Sequence, residues 1–224
     1  VPIRLDRSFT RCAGLVLCLL LAACSSQPST SPRLRALPEA VELSNVPFFA
    51  QHAYQSAPAS LAALFTLQGE TVTPGMVEKE LRLPEREEAL QQNLAGVVNR
   101  HGLLLYPLGN QLEDLLVQVA AGNPVLVHMR QGYGWLPSWR YALVVGYDRN
   151  KQVLLLRAGG IRRLPMSFSE FESGWEGAGH WAALLQAPNQ LPAEADRSRW
   201  TQAVDALAGA GQADAANIAR KQLH

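Results

Sequence analysis

A chain of 224 residues, 48% of them hydrophobic and 17% charged, carries enough apolar material to bury one core with a small appendage, which excludes a disordered chain. Twenty basic residues stand against nineteen acidic ones with no basic run, so the sequence offers no electrostatic footprint for DNA or RNA. Cys12, Cys18 and Cys24 all fall in the first 24 residues, and everything beyond them therefore lacks a disulfide framework, a cysteine zinc site and a cysteine nucleophile.

Residues 1–24 read as an address. Arg4, Arg7 and Arg11 form a positive region, and Ala13 to Ala23 is an apolar run of about eleven residues where a spanning helix needs roughly twenty, so a secretory signal is expected rather than an anchor. Leu21-Ala22-Ala23-Cys24 resembles the bacterial lipobox, which implies lipidation of Cys24 after cleavage; an ordinary cleaved signal is the alternative. Ser25 after the cysteine resembles the Gram-negative sorting pattern for the outer membrane, with the chain facing the periplasm. A first residue of valine implies a non-AUG start or a trimmed methionine. Residues 25–44 begin Ser-Ser-Gln-Pro-Ser-Thr-Ser-Pro, too polar and proline-interrupted to pack, and read as a flexible tether. Loss of Arg4, Arg7, Arg11 and Asp6 with the signal leaves seventeen basic against eighteen acidic residues, an essentially neutral body.

The body is read as residues 45–190. Val46-Pro47-Phe48-Phe49 is an extended lead into a helix that Ser56 opens as N-cap, with Pro58 in the first turn, Leu61, Leu64 and Phe65 at helical spacing, and Gly69 as the stop. Thr73-Pro74 opens a second helix through Leu81. Leu90, Leu94, Val97 and Val98 mark a third that ends at Gly102, and Leu112, Leu115, Leu116 and Val119 a fourth that ends at Gly122. The period then changes. Residues 124–129, 141–147 and 153–156 are short apolar β-runs, Asp148 to Lys151 is a hairpin turn, and 180–185 is a further strand. Helices followed by an antiparallel sheet predict an α+β fold. Residues 191–224 predict a C-terminal helical hairpin, with Trp200, Ala203, Val204 and Leu207 on one face, similar to a single tetratricopeptide-type repeat; a plain hairpin is the other reading. One such unit cannot bury its own apolar face, so it should pack on the body, a partner or a second copy.

The blocks Val46 to Gln51, Tyr54 to Leu61, Pro124 to Val127 and Trp139 to Asp148 together resemble the bacteriocin-processing, or double-glycine, cysteine peptidase family over residues 46–188. The resemblance implies a papain-like fold and, for active members, cleavage after paired glycines. It also implies a site whose nucleophile sits at the start of the first long helix, where free N–H groups and the helix dipole favour a thiolate that a strand histidine deprotonates and an acid orients. Here the nucleophile position, normally cysteine followed by Gly-Pro, holds Ser56 before Ala57-Pro58. The histidine position holds Arg140, and the acid position falls on Ala158 beside Arg157. Only Gln51 matches, at the family's oxyanion-hole glutamine.

Serine needs a neighbouring base, and an arginine stays protonated at any working pH, so the intrinsic machinery is expected to be dead and the chain to be no enzyme. The leading expectation is a pseudopeptidase that binds or scaffolds an extended peptide or protein ligand in envelope secretion or processing, with the hairpin contacting a protein partner. Gln51, Ser56, Tyr133, Trp135, Trp139 and Arg140 are the candidate ligand-binding residues; Arg140 would hold an anionic group and the aromatics, together with Tyr141, would line a groove, or else simply pack. The rival is a hydrolase in which Ser56 recruits His128, the best placed of His52, His101, His128 and His180. A third reading is a domain with a closed groove that stabilises an envelope assembly. The sequence contains no His-x-x-x-His or Cys-x-x-Cys pair, so no metal or other cofactor is expected.

Overall fold

The computed structural model describes residues 31–50, 55–83, 89–131 and 138–223, and the chain divides after Ala36. Before the division lies α1 (Pro32–Arg35), with Ser31 as N-cap: its Oγ accepts the Leu34 amide at 3.2 Å. The unit from Leu37 onward carries the remaining elements. The folded body thus begins at Leu37 rather than at 45, because β1 (Ala40–Glu42), inside the stretch read as tether, pairs with the sheet. The Arg149 guanidinium fixes this segment by donating to the carbonyls of Leu37 and Pro38 at 2.7 and 2.9 Å.

Three helices follow. α2 (Ser56–Leu67) is buried from Ser56 through Phe65, so it is a central helix rather than an amphipathic one. α3 (Pro74–Leu81) is capped by Thr73, whose Oγ1 accepts the Met76 amide at 3.4 Å, and α4 (Leu90–Arg100) buries Leu94, Val97 and Val98. Gly69 and Gly102 end α2 and α4 at φ +90° and +72°, left-handed turns that only glycine adopts without cost. β2 (Leu104–Pro107) leads to α5 (Leu112–Ala120). Then come β3 (Val125–Gln131), β4 (Ser138–Asp148), β5 (Val153–Ala158), β6 (Ile161–Ser167), α6 (Phe168–Gly177) and β7 (Ala182–Gln186), with α7 (Arg197–Gly209) and α8 (Ala213–Lys221) last.

The sheet is antiparallel in every pair, in the order β2-β7-β3-β4-β5-β6, with β1 also on β4. The long strand β4 serves three neighbours: β3 takes Ser138 to Val144, β1 takes Gly146 to Asp148, and β5 takes Leu143 to Asp148. Gly146 permits the β1 pairing, since a Cβ there would stand 2.6 Å from the Val41 carbonyl oxygen. Residues 141–147 of β4 are buried without alternation, which means both sheet faces are covered. Tyr141, Leu143, Val145, Leu126, Leu155 and Leu185 share one core with α2, α3 and α4.

The α+β expectation holds, and the helices and the apolar strands lie where the periodicity put them. Besides α1 and β1, which fall in the stretch read as tether, three elements carry no such signal. β6 contains Arg162, Arg163 and Pro165 and is mostly exposed at the sheet's end, so it lacks an apolar run. α6 carries Gly174 and Gly177, and β2 spans four residues directly after a helix. The C-terminal hairpin packs on the body, against β2 and α4, and belongs to the same unit. Gln118 of α5 anchors the connection, with Nε2 donating to the Ala193 carbonyl at 2.7 Å and Oε1 accepting its amide at 3.1 Å.

Candidate functional site

The N-terminus of α2 meets β4 where the β4–β5 ladder gives out. The β5 pairing of β4 begins at Leu143, so the Tyr141 amide lies beyond it, and that amide donates to Ser56 Oγ at 3.0 Å. Ser56 is 4% exposed. The expectation that Ser56 caps α2 is therefore corrected: the N-cap is Gln55, which makes no side-chain cap bond, and Ser56 is the first helical residue with its hydroxyl committed to the strand. Satisfying a buried backbone N–H outweighs satisfying a helix end that other groups or water can reach.

Arg140, the neighbour of Tyr141, donates from Nε to Ser138 Oγ at 3.3 Å. One terminal nitrogen lies 3.2 Å from where a Cβ on Gly159 would stand, in the left-handed turn that follows Ala158. The chain thus brings the helix start, Arg140 and the end of β5 to one place. The position that the resemblance assigns to a base holds a guanidinium, and the one it assigns to an acid holds the buried methyl of Ala158, followed by a glycine. Among the described residues, no carboxylate pairs with Arg140.

His128 lies directly across from Tyr141 in the β3–β4 register, stacked on it with ring centroids 4.6 Å apart and 5.8 Å from Trp139. Trp181 meets Tyr141 edge-on at 5.6 Å. Among the described residues the group bonded to Ser56 Oγ is the Tyr141 amide, not a histidine nitrogen. Trp139 is 46% exposed, whereas Tyr141 is buried core. Gln51, His52, Tyr133, Trp135 and Cys24, all named from sequence, lie outside the described residues. His101 is engaged elsewhere, with Glu80 at 3.1 Å, and His180 packs edge-on against Trp175.

Burial holds the His128 imidazole below the ordinary histidine pKa, because charging it inside this aromatic cluster forfeits hydration. A depressed value in the folded state means the unfolded chain binds the proton more readily, so this contribution is complete above the ordinary histidine value and is lost as pH falls through the folded one. Urea midpoints compared between about pH 7.5 and pH 5 should therefore fall less steeply for His128→Leu than for the parent chain. Equal slopes for the two proteins would show that His128 is not the group responsible.

Sequence reasoning missed Arg157. It is 5% exposed and donates to the carbonyls of Arg162 and Val46, which ties the strap ahead of α2 to the sheet. An arginine inside an apolar strand carries no signal of burial, because its partners here are backbone groups fixed only by the fold.

No family model matches the chain, and no curated protein matches it. The structure is similar to the crystal structure of a Bacillus anthracis protein provisionally described as a C39-like peptidase, with a TM-score of 0.54 and 19% identity. The match covers 66% of this chain and 98% of that one. The fold is C39-like. The papain-like expectation is met at that level, and within the C39-like fold Ser56, Arg140 and Ala158 stand at the junction just described. The described residues contain no helix long and apolar enough to cross a membrane.

Proposed function

We propose that this chain is a pseudopeptidase of the bacterial envelope, lipid-anchored through Cys24 and facing the periplasm from the outer membrane, which binds or scaffolds an extended peptide without cutting it. The observation that carries the reading is the state of Ser56. Its hydroxyl is buried and already accepts the Tyr141 amide, and the residue expected at the base position, Arg140, carries a guanidinium. A serine nucleophile needs a base within hydrogen-bond reach, and a permanent cation cannot supply one. What a fixed cation does well is hold an anionic group, and Trp139 offers an exposed aromatic surface on the same strand.

The test is turnover and binding measured side by side on the full chain, with double-glycine peptides and a broad peptide library. No cleavage is expected from the parent chain or from Ser56→Ala, with binding that weakens in Arg140→Ala. Ser56→Ala should instead show itself in stability, at a cost of about 1–3 kcal/mol for a buried amide left without its acceptor. The Ser56→Cys/Arg140→His pair asks whether restoring the two groups restores chemistry. Cleavage by the parent chain that Ser56→Ala abolishes would overturn the reading in favour of a hydrolase.

A further inference from the structure

The end of the sheet beyond the candidate site is electrostatically unfinished. Arg157 is buried without a carboxylate partner, its Nε has no hydrogen-bond partner, and burial together with the charges of Arg162 and Arg163 holds its pKa below the ordinary arginine value. The carboxylate that offsets this is Glu42, and Glu42 is already engaged by Arg163 Nε at 2.9 and 3.1 Å. Arg162 is exposed and, among the described residues, pairs with no carboxylate; neither does Arg140, which touches the Gly159 turn between β5 and β6. Among the described residues, four arginines at this end of the sheet therefore have one carboxylate between them, Glu42, an imbalance that a partner of opposite charge would complete.

We propose that this surface is a docking edge for an extended acidic peptide, one bearing Asp or Glu, which runs from Arg140 past the Gly159 turn and along β6. Two features select a chain over a compact anion. Between Ile161 and Leu164 β6 advances three residues against two on β5, so Arg162 and Arg163 together oppose Arg157 at a bulge, and with Arg140 before the Gly159 turn the cations are spread along the strand rather than gathered round one point. An extended peptide with a carboxylate at every second residue can follow that row. β6 is also the last strand in the sheet order, and among the described residues it is paired on one side only, by β5. Its free edge offers backbone groups to an added strand, with Ile161, 50% exposed, beside the arginines. Pro165 has no N–H to give and the bulge interrupts the ladder before it, so the pairing with an added segment is short and the arginine side chains carry the recognition.

The inference rests on the reading of the site as a peptide groove, since Arg140 belongs to both, and the experiment separates them. Labelled (Gly-Glu)4, (Gly-Gln)4 and (Gly-Lys)4 peptides and phosphatidylglycerol vesicles are titrated against the full chain at two salt concentrations. The comparison proteins are Arg162→Gln, Arg163→Gln and the control Arg220→Gln on α8, with thermal melts to confirm folding. The acidic peptide should bind about tenfold tighter than its glutamine counterpart at low salt, lose that margin at high salt, and weaken about threefold in each β6 variant but not in the control. Equal binding of acidic and glutamine peptides overturns the acidic preference while leaving the groove standing. Failure of all three peptides overturns both. Capture by the vesicles in place of any peptide overturns the peptide assignment and makes the surface lipid-facing.

Discussion

Trp200→Ala is expected to lower the unfolding free energy by about 3–5 kcal/mol, the cost of removing a fully buried indole whose cavity cannot collapse. Trp200 is 0% exposed, and its Nε1 donates to the Ala219 carbonyl at 2.9 Å, so it holds α8 against α7. Its ring also lies 6.1 Å from Tyr106 of β2, and the Tyr106 hydroxyl accepts the Asp196 amide at the start of α7. One side chain thus joins both helices of the hairpin to the sheet. Urea unfolding should report the loss, and amide exchange should place it first in residues 197–221, with the strands retaining more protection. A variant within 1 kcal/mol of the parent would show that the hairpin is held by its remaining contacts and that Trp200 is a filler.

Gly174→Ala tests the seat of α6 on the sheet. A Cβ at Gly174 would stand 2.5 Å from the Arg130 carbonyl oxygen and 3.4 Å from the Met129 methyl, so α6 lies directly on the backbone of β3. Backbone cannot rotate away as a side chain can, and the helix itself has to lift. The intrinsic gain of alanine over glycine in a helix, about 1 kcal/mol, is outweighed by overpacking of about 1–3 kcal/mol or more. A net loss in melting temperature is expected, together with changed near-ultraviolet signals from Trp175, which α6 buries and whose Nε1 donates to the Trp181 carbonyl. An unchanged or raised melting temperature would show that α6 moves freely on the sheet. It would also remove the reason given for the glycine.

Both positions illustrate what a sequence conceals. Trp200 is legible as core, since Ala203, Val204 and Leu207 repeat with it at helical spacing, but its two destinations are not. Gly174 reads as a helix breaker, and the helix it sits in was not expected, because the carbonyl that requires a glycine belongs to a strand some forty residues earlier. Ser56 is the instructive case at the site. Its place at the start of a helix follows from Pro58 and the apolar spacing after it, yet a local cap was the wrong partner. The bond to Tyr141 spans 85 residues and exists because β5 stops short of that amide.

The expectation that Ser56, Arg140 and Ala158 stand in place of the resembled family's reacting residues comes from the sequence, since identity and order along the chain are local facts. So do the α+β class, the helical first half and the apolar strands, which follow from hydrophobic period alone. Tertiary structure decided where unpatterned residues go: that Ala40–Glu42 is a strand, that Arg157 is buried against carbonyls, and that exposed β6 with its arginines ends the sheet. Those outcomes depend on which backbone groups are left unpaired after the core closes. Hydrogen-bond satisfaction is a property of the assembled fold and leaves no periodicity behind.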